Sequence, residues 1–184
     1  MPAYRGKRTL DLVAACAACV TLAPLAVGIA IAAWAEDGGA PLFLQTRVGC
    51  GRRPFTVVKF RTMAQQRVTH VGAVLRRTGL DELPQFINVW RGEMSMVGPR
   101  PLTPADLVRL GWHGPASDWR FAVPPGITGI AQLLAGSGAR TSLRLDRLYL
   151  QRQSLGLDVK LITLSFAANL LGKRRIRRWL RHLR

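Results

Sequence analysis

The chain has 184 residues, 48% of them apolar, and its 27 Lys and Arg against 10 Asp and Glu give a formal net charge of +17. This length predicts one compact domain, and the apolar content excludes a mainly disordered chain. The charge favours nucleic acid, anionic lipid or a phosphorylated substrate as partner. The positive mean hydropathy favours a membrane over nucleic acid among these three.

The first long feature is the apolar run Thr9–Trp34. A run of about 20 apolar residues is long enough to cross a bilayer and too long for the core of a signal peptide. Cys16 and Cys19 lie within it without a second cysteine pair. We therefore expect them to be two small buried residues on one helix turn rather than a zinc site.

Basic residues flank this run on both sides. Basic residues next to a membrane segment mark its cytoplasmic side, so a helix that crosses the membrane once would carry them at one end. A segment that enters the membrane and returns on the same side would satisfy both flanks. Pro24 lies near the middle of the run and can bend or break a helix there. These residues alone leave a spanning helix and a re-entrant one equally open.

The rest of the chain alternates short strands, helices and Gly/Pro-rich loops. Two strands form a predicted hairpin, at Pro41–Gln45 and Phe55–Phe60. Helices are predicted at Val71–Arg77, Asp81–Arg91, Asp106–Leu110, Leu143–Gln153 and Asp158–Leu171, with loops at Gly92–Pro104 and Val123–Gly129. The predicted fold class is α+β, mainly helical, with a small β-hairpin.

The C-terminal segment Gly172–Arg184 is predicted to be a basic amphipathic helix. Its apolar residues fall on one helical face and arginines crowd the other. This pattern suits a helix lying among lipid headgroups, although an RNA-binding arm or a solvated charged end has the same composition. We divide the chain into a membrane segment (1–37), a central domain (38–171) and this basic segment (172–184).

Acidic residues are scarce, so the adjacent pair Asp81-Glu82 is the first candidate for chemistry. Pro84 follows it and suits the first turn of a helix, where the dipole and the free amides favour a carboxylate or a phosphate. An ionised carboxylate can attack phosphorus or bind a hard cation. The spacing from Thr78 to Asp81 also fits a helix capping box, which would need no catalytic role.

Several basic residues could serve the same site. Lys59 and Arg61 end the second predicted strand, and Arg76 precedes the acidic pair. Arg100 stands between two prolines, which restrict the backbone on either side of a guanidinium that suits phosphate oxygens. Mg²⁺ would reconcile the acids with a phosphate-rich substrate, because it is commonly held by one or two carboxylates, phosphate oxygens and water.

Taken in order, these segments resemble the bacterial sugar transferase family of small monotopic phosphoglycosyl transferases. The matching stretches are Lys7–Asp11, Gln45–Gly49, Lys59–Met63, Leu80–Val89, Gly92–Pro101 and Pro125–Gly129. They span nearly the whole chain, and the block from Asp81 to Pro101 is the most specific of them.

The resemblance implies a two-step transfer. Asp81 would attack the β-phosphate of a UDP-sugar, UMP would leave, and a polyprenyl (undecaprenyl) phosphate would take the phosphosugar from the aspartate. Glu82 would assist as a base or an electrostatic partner, and Mg²⁺ would bind the diphosphate and Asp81. The resemblance assigns substrate binding to Lys59, Arg61, Arg76, Arg100, Gly126 and Thr128.

The resemblance also implies where the protein works. Its N-terminal helix would be broken at Pro24 and would remain on the cytoplasmic face of the bacterial inner membrane, which favours the re-entrant topology. Anionic membrane lipids would be partners and nucleic acid would not, and a homodimer is compatible with the family. The step would be the first at the membrane in glycoconjugate or exopolysaccharide synthesis.

Three positions depart from the family pattern. Pro124 stands where relatives usually carry Arg or Lys, a loss that Arg120 could offset. Ala23 replaces a common Ser before the helix-breaking proline, and the segment 64–70 is shorter and more basic than usual. The alternatives to an enzyme are a nucleic-acid-binding module and a basic membrane-anchored binding or assembly protein without catalysis.

Overall fold

A computed structural model describes residues 3–134 and 138–171. The chain is mostly helical there. The α-helices are α1 Lys7–Asp37, α2 His70–Thr78, α3 Gln85–Arg91, α4 Pro104–Arg109, α5 Ile130–Leu134, α6 Ala139–Arg152 and α7 Leu155–Leu171. The strands are β1 Leu42–Val48, β2 Pro54–Phe60, β3 Met63–Ala64, β4 Arg67–Val68, β5 Ser95–Val97 and β6 Gly126–Thr128. The predicted basic helix at Gly172–Arg184 lies outside the described residues.

Helix α1 is one continuous element of 31 residues that runs through Pro24. In the described part of the chain it is the helix that is long and apolar enough to cross a membrane. Only 11% of the most apolar 18-residue stretch of this helix is buried, which argues against the core helix of a soluble protein. The interruption predicted at Pro24 is not seen in the helix, and the re-entrant topology stays a prediction.

The two ends of α1 are buried and its middle is not. Its buried residues are Lys7, Asp11, Ala15, Ile29 and Ala33, and none lies between Ala15 and Ile29. Cys16 and Cys19 are exposed on this middle part, so the prediction that they are buried was wrong for the chain by itself. A small side chain in an apolar run is equally compatible with burial inside the protein and with exposure along the helix, so the sequence could not distinguish the two.

A buried polar network anchors the N-terminal end of α1. The Lys7 Nζ donates to Asp158 Oδ2 at 2.7 Å and to the Val97 carbonyl at 2.9 Å, which joins α1 to α7 and β5. Asp11 Oδ1 accepts from the Met96 amide at 2.9 Å. Because these charges are paired and hydrogen-bonded, their burial is tolerated, and removing one partner would leave an uncompensated charge.

The C-terminal end of α1 is held by different contacts. The two oxygens of the Glu36 carboxylate accept from the backbone amides of His70 (2.6 Å) and Val71 (3.0 Å) at the start of α2. The Arg61 guanidinium pairs with Asp37 directly after β2. Both ends of the apolar helix are therefore bonded to the same globular part of the chain.

Three two-stranded sheets complete the fold. The antiparallel pair β1–β2 is the predicted hairpin, in which β1 begins one residue later and ends three residues later than predicted, and β2 begins one residue earlier. The pair β5–β6 is parallel and lies in segments that we predicted to be loops. Gly98 and Gly126 allow this approach, since a Cβ on Gly126 would come within 2.0 Å of the Gly98 amide. Three-residue strands paired across the chain leave almost no local pattern.

The main core lies between β2, α3, β5, α6 and α7. Its best-buried members include Val57, Val89, Met94, Val97 and Tyr149. The hydroxyl of Tyr149 donates to Asp158 and to the Val97 carbonyl, so this core and the anchor of α1 share side chains. The acidic pair lies just before α3 and the loop around Arg100 just after β5, so both are attached to elements of this core.

Candidate functional site

The acidic pair lies on a single helical turn between α2 and α3. Leu80–Glu82 form a short 3-10 helix that begins after Gly79. Gly79 ends α2 with a φ of 76°, a conformation that favours glycine, and a Cβ there would come within 2.9 Å of the Asn169 side chain. Glycine at this position therefore lets α2 end tightly against α7 and starts the turn that carries Asp81.

The capping-box alternative is not what the structure shows. The Thr78 hydroxyl donates to the carbonyls of Val74 (2.9 Å) and Leu75 (3.2 Å) within its own helix. It does not cap the turn that follows, so Asp81 is not explained as the partner of a helix cap. The prediction that the pair starts the helix continuing to Arg91 was nearly right, since α3 begins at Gln85 after one separate turn.

Asp81 and Glu82 have different surroundings although they are neighbours. The Glu82 carboxylate accepts from Lys59 Nζ at 2.7 Å, and Lys59 is held on β2. Burial and then the adjacent Glu82 charge raise the pKa of Asp81, while Lys59 and Arg76 oppose that rise. Asp81 is consequently a half-buried carboxylate next to a charged pair, which is a common setting for a functional acid.

Arg76, on α2, is a second cation whose charge acts on Asp81. Its Nε donates to the Thr62 hydroxyl at 2.9 Å. Lys59 and Arg76 thus bring two cations to the acidic pair, from β2 and from α2. Neither strand nor helix could do so alone.

A cavity opens beside Glu82, and its charged lining is mainly cationic. Arg47, Lys59 and Arg100 line it together with the single carboxylate of Glu82. The remaining lining residues are Val57, Gln85, Pro101, Gly126, Ile127 and Gln132. Because Lys59 is already paired with Glu82, the two arginines leave an excess of positive charge that suits a phosphate group.

The two arginines of the cavity interact with each other electrostatically. Burial and the neighbouring Arg100 guanidinium lower the pKa of Arg47, and the charges of Asp106 and Glu82 act in the opposite direction. Arg47 Nη1 lies 3.6 Å from Asp106 Oδ2. An anion between Arg47 and Arg100 would relieve their repulsion.

The loop that carries Arg100 is fixed by its carbonyl groups. The Arg120 guanidinium donates to the Arg100 carbonyl at 2.6 Å, and the Gly126 amide donates to the Pro99 carbonyl at 2.9 Å. Arg120 in turn donates from Nε to Asp146 Oδ2 at 2.8 Å, and both side chains are buried. Arg120 is therefore committed to holding this loop, and it does not supply the phosphate contact that we considered for it in place of position 124.

The remaining predicted site residues lie in different settings. Arg61 pairs with Asp37 at the end of α1, and the buried Thr128 hydroxyl bonds to Ser165 on α7. Neither lines the cavity, whereas Lys59, Glu82, Arg100 and Gly126 do. Pro24 is exposed in the middle of α1, away from the buried ends of that helix.

Sequence reasoning missed three polar residues of the cavity: Arg47, Gln85 and Gln132. Arg47 lay in a stretch that matched the family pattern, but a strand arginine among 27 basic residues carried no distinguishing signal. Gln132 follows β6 and becomes part of the cavity only because β6 pairs with β5. That pairing was not foreseen, so its neighbour could not be placed.

The donor set at the acidic turn fits Mg²⁺ better than a transition metal. Within the described residues no three His, Cys, Asp or Glu side chains come together as a metal cluster. Mg²⁺ does not need one, since it is commonly held by one or two carboxylates, substrate phosphates and water. Asp81 is the carboxylate left for such an ion, because Glu82 is paired with Lys59, and magnesium binding stays a prediction.

Comparison with known proteins finds relatives that are named as undecaprenyl-phosphate sugar transferases or as an exopolysaccharide production protein. The chain is 37% identical over 185 residues to the UDP-N-acetylgalactosamine-undecaprenyl-phosphate N-acetylgalactosaminephosphotransferase of Aeromonas hydrophila, covering 90% of this chain and 44% of that protein. It is 38% identical over 177 residues to the UDP-glucose:undecaprenyl-phosphate glucose-1-phosphate transferase of Caulobacter vibrioides, covering 85% of this chain and 66% of that one. The exopolysaccharide production protein ExoY of Rhizobium meliloti is 31% identical, with 91% and 86% covered.

The extent of the match differs among these relatives, because the chain spans less than half of the Aeromonas protein and most of ExoY. The match to the family itself covers residues 3–172, which include α1, the acidic turn and the cavity. On this evidence the chain belongs to the bacterial sugar transferase family.

Proposed function

We propose that this protein transfers a sugar 1-phosphate from a UDP-sugar to a polyprenyl phosphate, with Asp81 as the nucleophile. The observation that carries the proposal is the half-buried Asp81 beside the Lys59–Glu82 ion pair and a cationic cavity. The names of the relatives support the substrate classes, since two of them are undecaprenyl-phosphate sugar phosphotransferases.

In the first step a carboxylate oxygen of Asp81 forms a bond to the β-phosphorus of the donor. The bond from that phosphorus to the oxygen bridging to the α-phosphate breaks, and UMP leaves with the electron pair. The sugar phosphate remains on Asp81 as an acyl phosphate. Splitting the exchange in this way avoids bringing a soluble donor and a lipid acceptor together in one transition state.

In the second step a phosphate oxygen of the polyprenyl carrier attacks the same phosphorus. The bond between that phosphorus and the Asp81 oxygen breaks, and the carboxylate is regenerated. The product is a sugar joined to the lipid through a diphosphate. Neither step requires a net proton transfer from the protein, so Glu82, held by Lys59, serves best as an electrostatic partner.

The basic side chains around Asp81 would neutralise the charge that moves during both steps. Lys59 and Arg76 are the nearest to the acidic pair, and Arg100 lines the cavity beside it. Asp81, with the donor diphosphate, would hold Mg²⁺, which supplies further charge neutralisation when bound. Fixed cations of this kind act without reorganising during the reaction.

The apolar helix α1 supports a location at the membrane. Val20, Val27 and Ile31 each expose more than half of their side-chain surface on it. We propose the cytoplasmic face of the inner membrane, where a nucleotide sugar and the phosphate of a lipid carrier both occur. There the product would begin the membrane stage of glycoconjugate or exopolysaccharide synthesis.

The function is tested by UMP release from purified protein given polyprenyl phosphate, Mg²⁺ and a panel of UDP-sugars. We expect release with at least one donor, and we expect Asp81→Asn to abolish it while thermal unfolding stays close to that of the wild type. Asp118→Asn is the matched control, because Asp118 is an exposed carboxylate paired with Arg52 far along the chain from the site. UMP release by the Asp81 variant at the wild-type rate would refute the assigned nucleophile.

The same assay separates the enzyme from a basic membrane-anchored binding or assembly protein. A protein of that second kind would bind anionic lipid and release no UMP with any donor. The geometry gives it no specific support, since a binding role does not require a half-buried acidic turn beside the cavity.

A further inference from the structure

Helix α1 contacts the two sides of the candidate site through two separate sets of residues. Near its N-terminus, Asp11 Oδ1 accepts from the Ser95 hydroxyl at 3.0 Å as well as from the Met96 amide. Ala15 of α1 belongs to the main core, which includes Met96. The N-terminal part of α1 is thus joined to β5, and β5 leads directly into the loop that carries Arg100.

The C-terminal part of α1 lies in a second, smaller core. Ile29 of α1 is buried there together with side chains of β2 and α2. Leu80 and Leu83 pack against the same cluster, and they are the residues directly before and after the pair Asp81-Glu82. The acidic turn is therefore packed with the C-terminal part of α1, whereas the Arg100 loop is joined to its N-terminal part.

Glu36 makes the polar part of this second connection. Its exposed carboxylate accepts from the first two backbone amides of α2, those of His70 and Val71. Helix α2 carries Arg76 and ends at Gly79, where the acidic turn begins. Because a short helix moves as one body, a carboxylate that holds its first turn also restrains the turn at its other end.

We propose that α1 holds the acidic turn and the Arg100 loop at a fixed separation, with Glu36 as a positioning residue for the transfer reaction. This inference rests on the proposed function, because the separation affects the rate only if Asp81 attacks a phosphate bound beside that loop. Glu36 acts through α2 and not on the reacting groups. A displacement on the order of 1 Å at reacting atoms can cost about a hundredfold in rate.

Glu36→Met tests this role in the full chain, with UMP release measured in lipid nanodiscs. We expect kcat to fall about tenfold or more and the KM for the UDP-sugar to stay within about twofold of the wild type, because the alignment changes while the phosphate-binding side chains remain. Glu36→Gln keeps one acceptor oxygen and should recover part of the loss. Asp118→Met is the matched control, since it removes an exposed carboxylate whose partner Arg52 lies outside α1 and α2.

A distance measurement separates positioning from a general loss of structure. Spin labels are attached to Ala73→Cys on α2 and Ala105→Cys on α4, two exposed positions, in a background without the native cysteines. Helix α4 follows the Arg100 loop, so double electron–electron resonance between the labels reports the separation of the two sides. We expect Glu36→Met to shift or broaden this distance and Asp118→Met to leave it unchanged.

The possible results distinguish this inference from the proposed function. Wild-type kcat in a folded Glu36→Met protein would overturn the inference, as would a slower variant with unchanged label distances or a rise in KM alone. Each of these leaves the proposed function standing. If Glu36→Met does not fold, Glu36→Gln is compared with Asp118→Asn by the same readouts. A wild-type protein that releases no UMP would refute the proposed function and this inference with it.

Discussion

Asp81 and Glu82 differ in the residues that contact them, and we propose different roles for them on that basis. Glu82 is paired with Lys59, while Asp81 is half-buried with its pKa raised by burial and by the Glu82 charge. The sequence predicted both acids, Lys59, Arg76 and Arg100 as one site. It could not distinguish them from Arg61 and Thr128, whose partners Asp37 and Ser165 come from remote elements.

Glu82→Gln should shift the acidic limb of the pH–rate profile to lower pH. The nucleophile must be ionised, so activity is lost as the pH falls through the pKa of Asp81. Removing the adjacent negative charge favours the ionised form and lowers that pKa, and Lys59, released from its pair, acts in the same direction. The measurement is kcat/KM for UMP release against pH, normalised to each variant's maximum.

Asp118→Asn should leave the position of that limb unchanged, because Asp118 lies near Arg52 rather than near Asp81. A limb that stays in place or moves to higher pH in Glu82→Gln would contradict the electrostatic coupling of the pair.

At the scale of elements, the site depends on the loop that carries Arg100, and no local sequence pattern predicted the position of this loop. The hairpin β1–β2 and helices α2, α4, α6 and α7 were predicted from periodicity and turn residues. The strands β5 and β6 were not, because each is three residues long and they pair in parallel across the chain. Their pairing brings Gly126 beside Pro99 and so positions the Arg100 loop.

Arg120 is the residue whose loss should test this support. Arg120→Met leaves Asp146 buried without its partner, and we expect the free energy of unfolding to fall by about 3–5 kcal/mol. Combining it with Asp146→Leu removes the unpaired charge and should restore most of that stability. The Arg100 carbonyl still lacks its donor in the double variant, so the KM for the UDP-sugar should remain several-fold above the wild-type value.

The two readouts for these variants are thermal unfolding and the kinetics of UMP release. A double variant that regains both stability and the wild-type KM would show that Arg120 does not position the loop. Arg109→Met offers a comparison, because Arg109 is 71% exposed and pairs only within α4.

At the scale of the whole molecule, α1 joins the globular part at both ends. Lys7 and Asp11 anchor one end, and Glu36 and Asp37 anchor the other. From the basic flanks on both sides of the apolar run, the sequence indicated a re-entrant topology as one of two alternatives, and it did not predict these contacts. It could not show how α1 passes Pro24, since a proline permits either a continuous helix or a break.

We expect both ends of α1 to lie on the cytoplasmic side. In a background where Cys16, Cys19 and Cys50 are replaced by Ala, Ala3→Cys adds a thiol before α1, and restoring Cys50 alone supplies one after it. A membrane-impermeant maleimide added to intact spheroplasts should label neither protein, and permeabilisation should allow both to react. Labelling of either protein from outside would instead establish a helix that spans the membrane.

The most direct measurement is intact-mass and peptide analysis of the protein incubated with a UDP-sugar and Mg²⁺ but no lipid acceptor. The predicted result is one added sugar phosphate on the peptide that contains Asp81, released when polyprenyl phosphate is supplied and absent from Asp81→Asn. If the protein releases UMP steadily when the lipid is present but forms no such adduct without it, Asp81 is not the nucleophile. An adduct on a different side chain would exclude Asp81 in the same way.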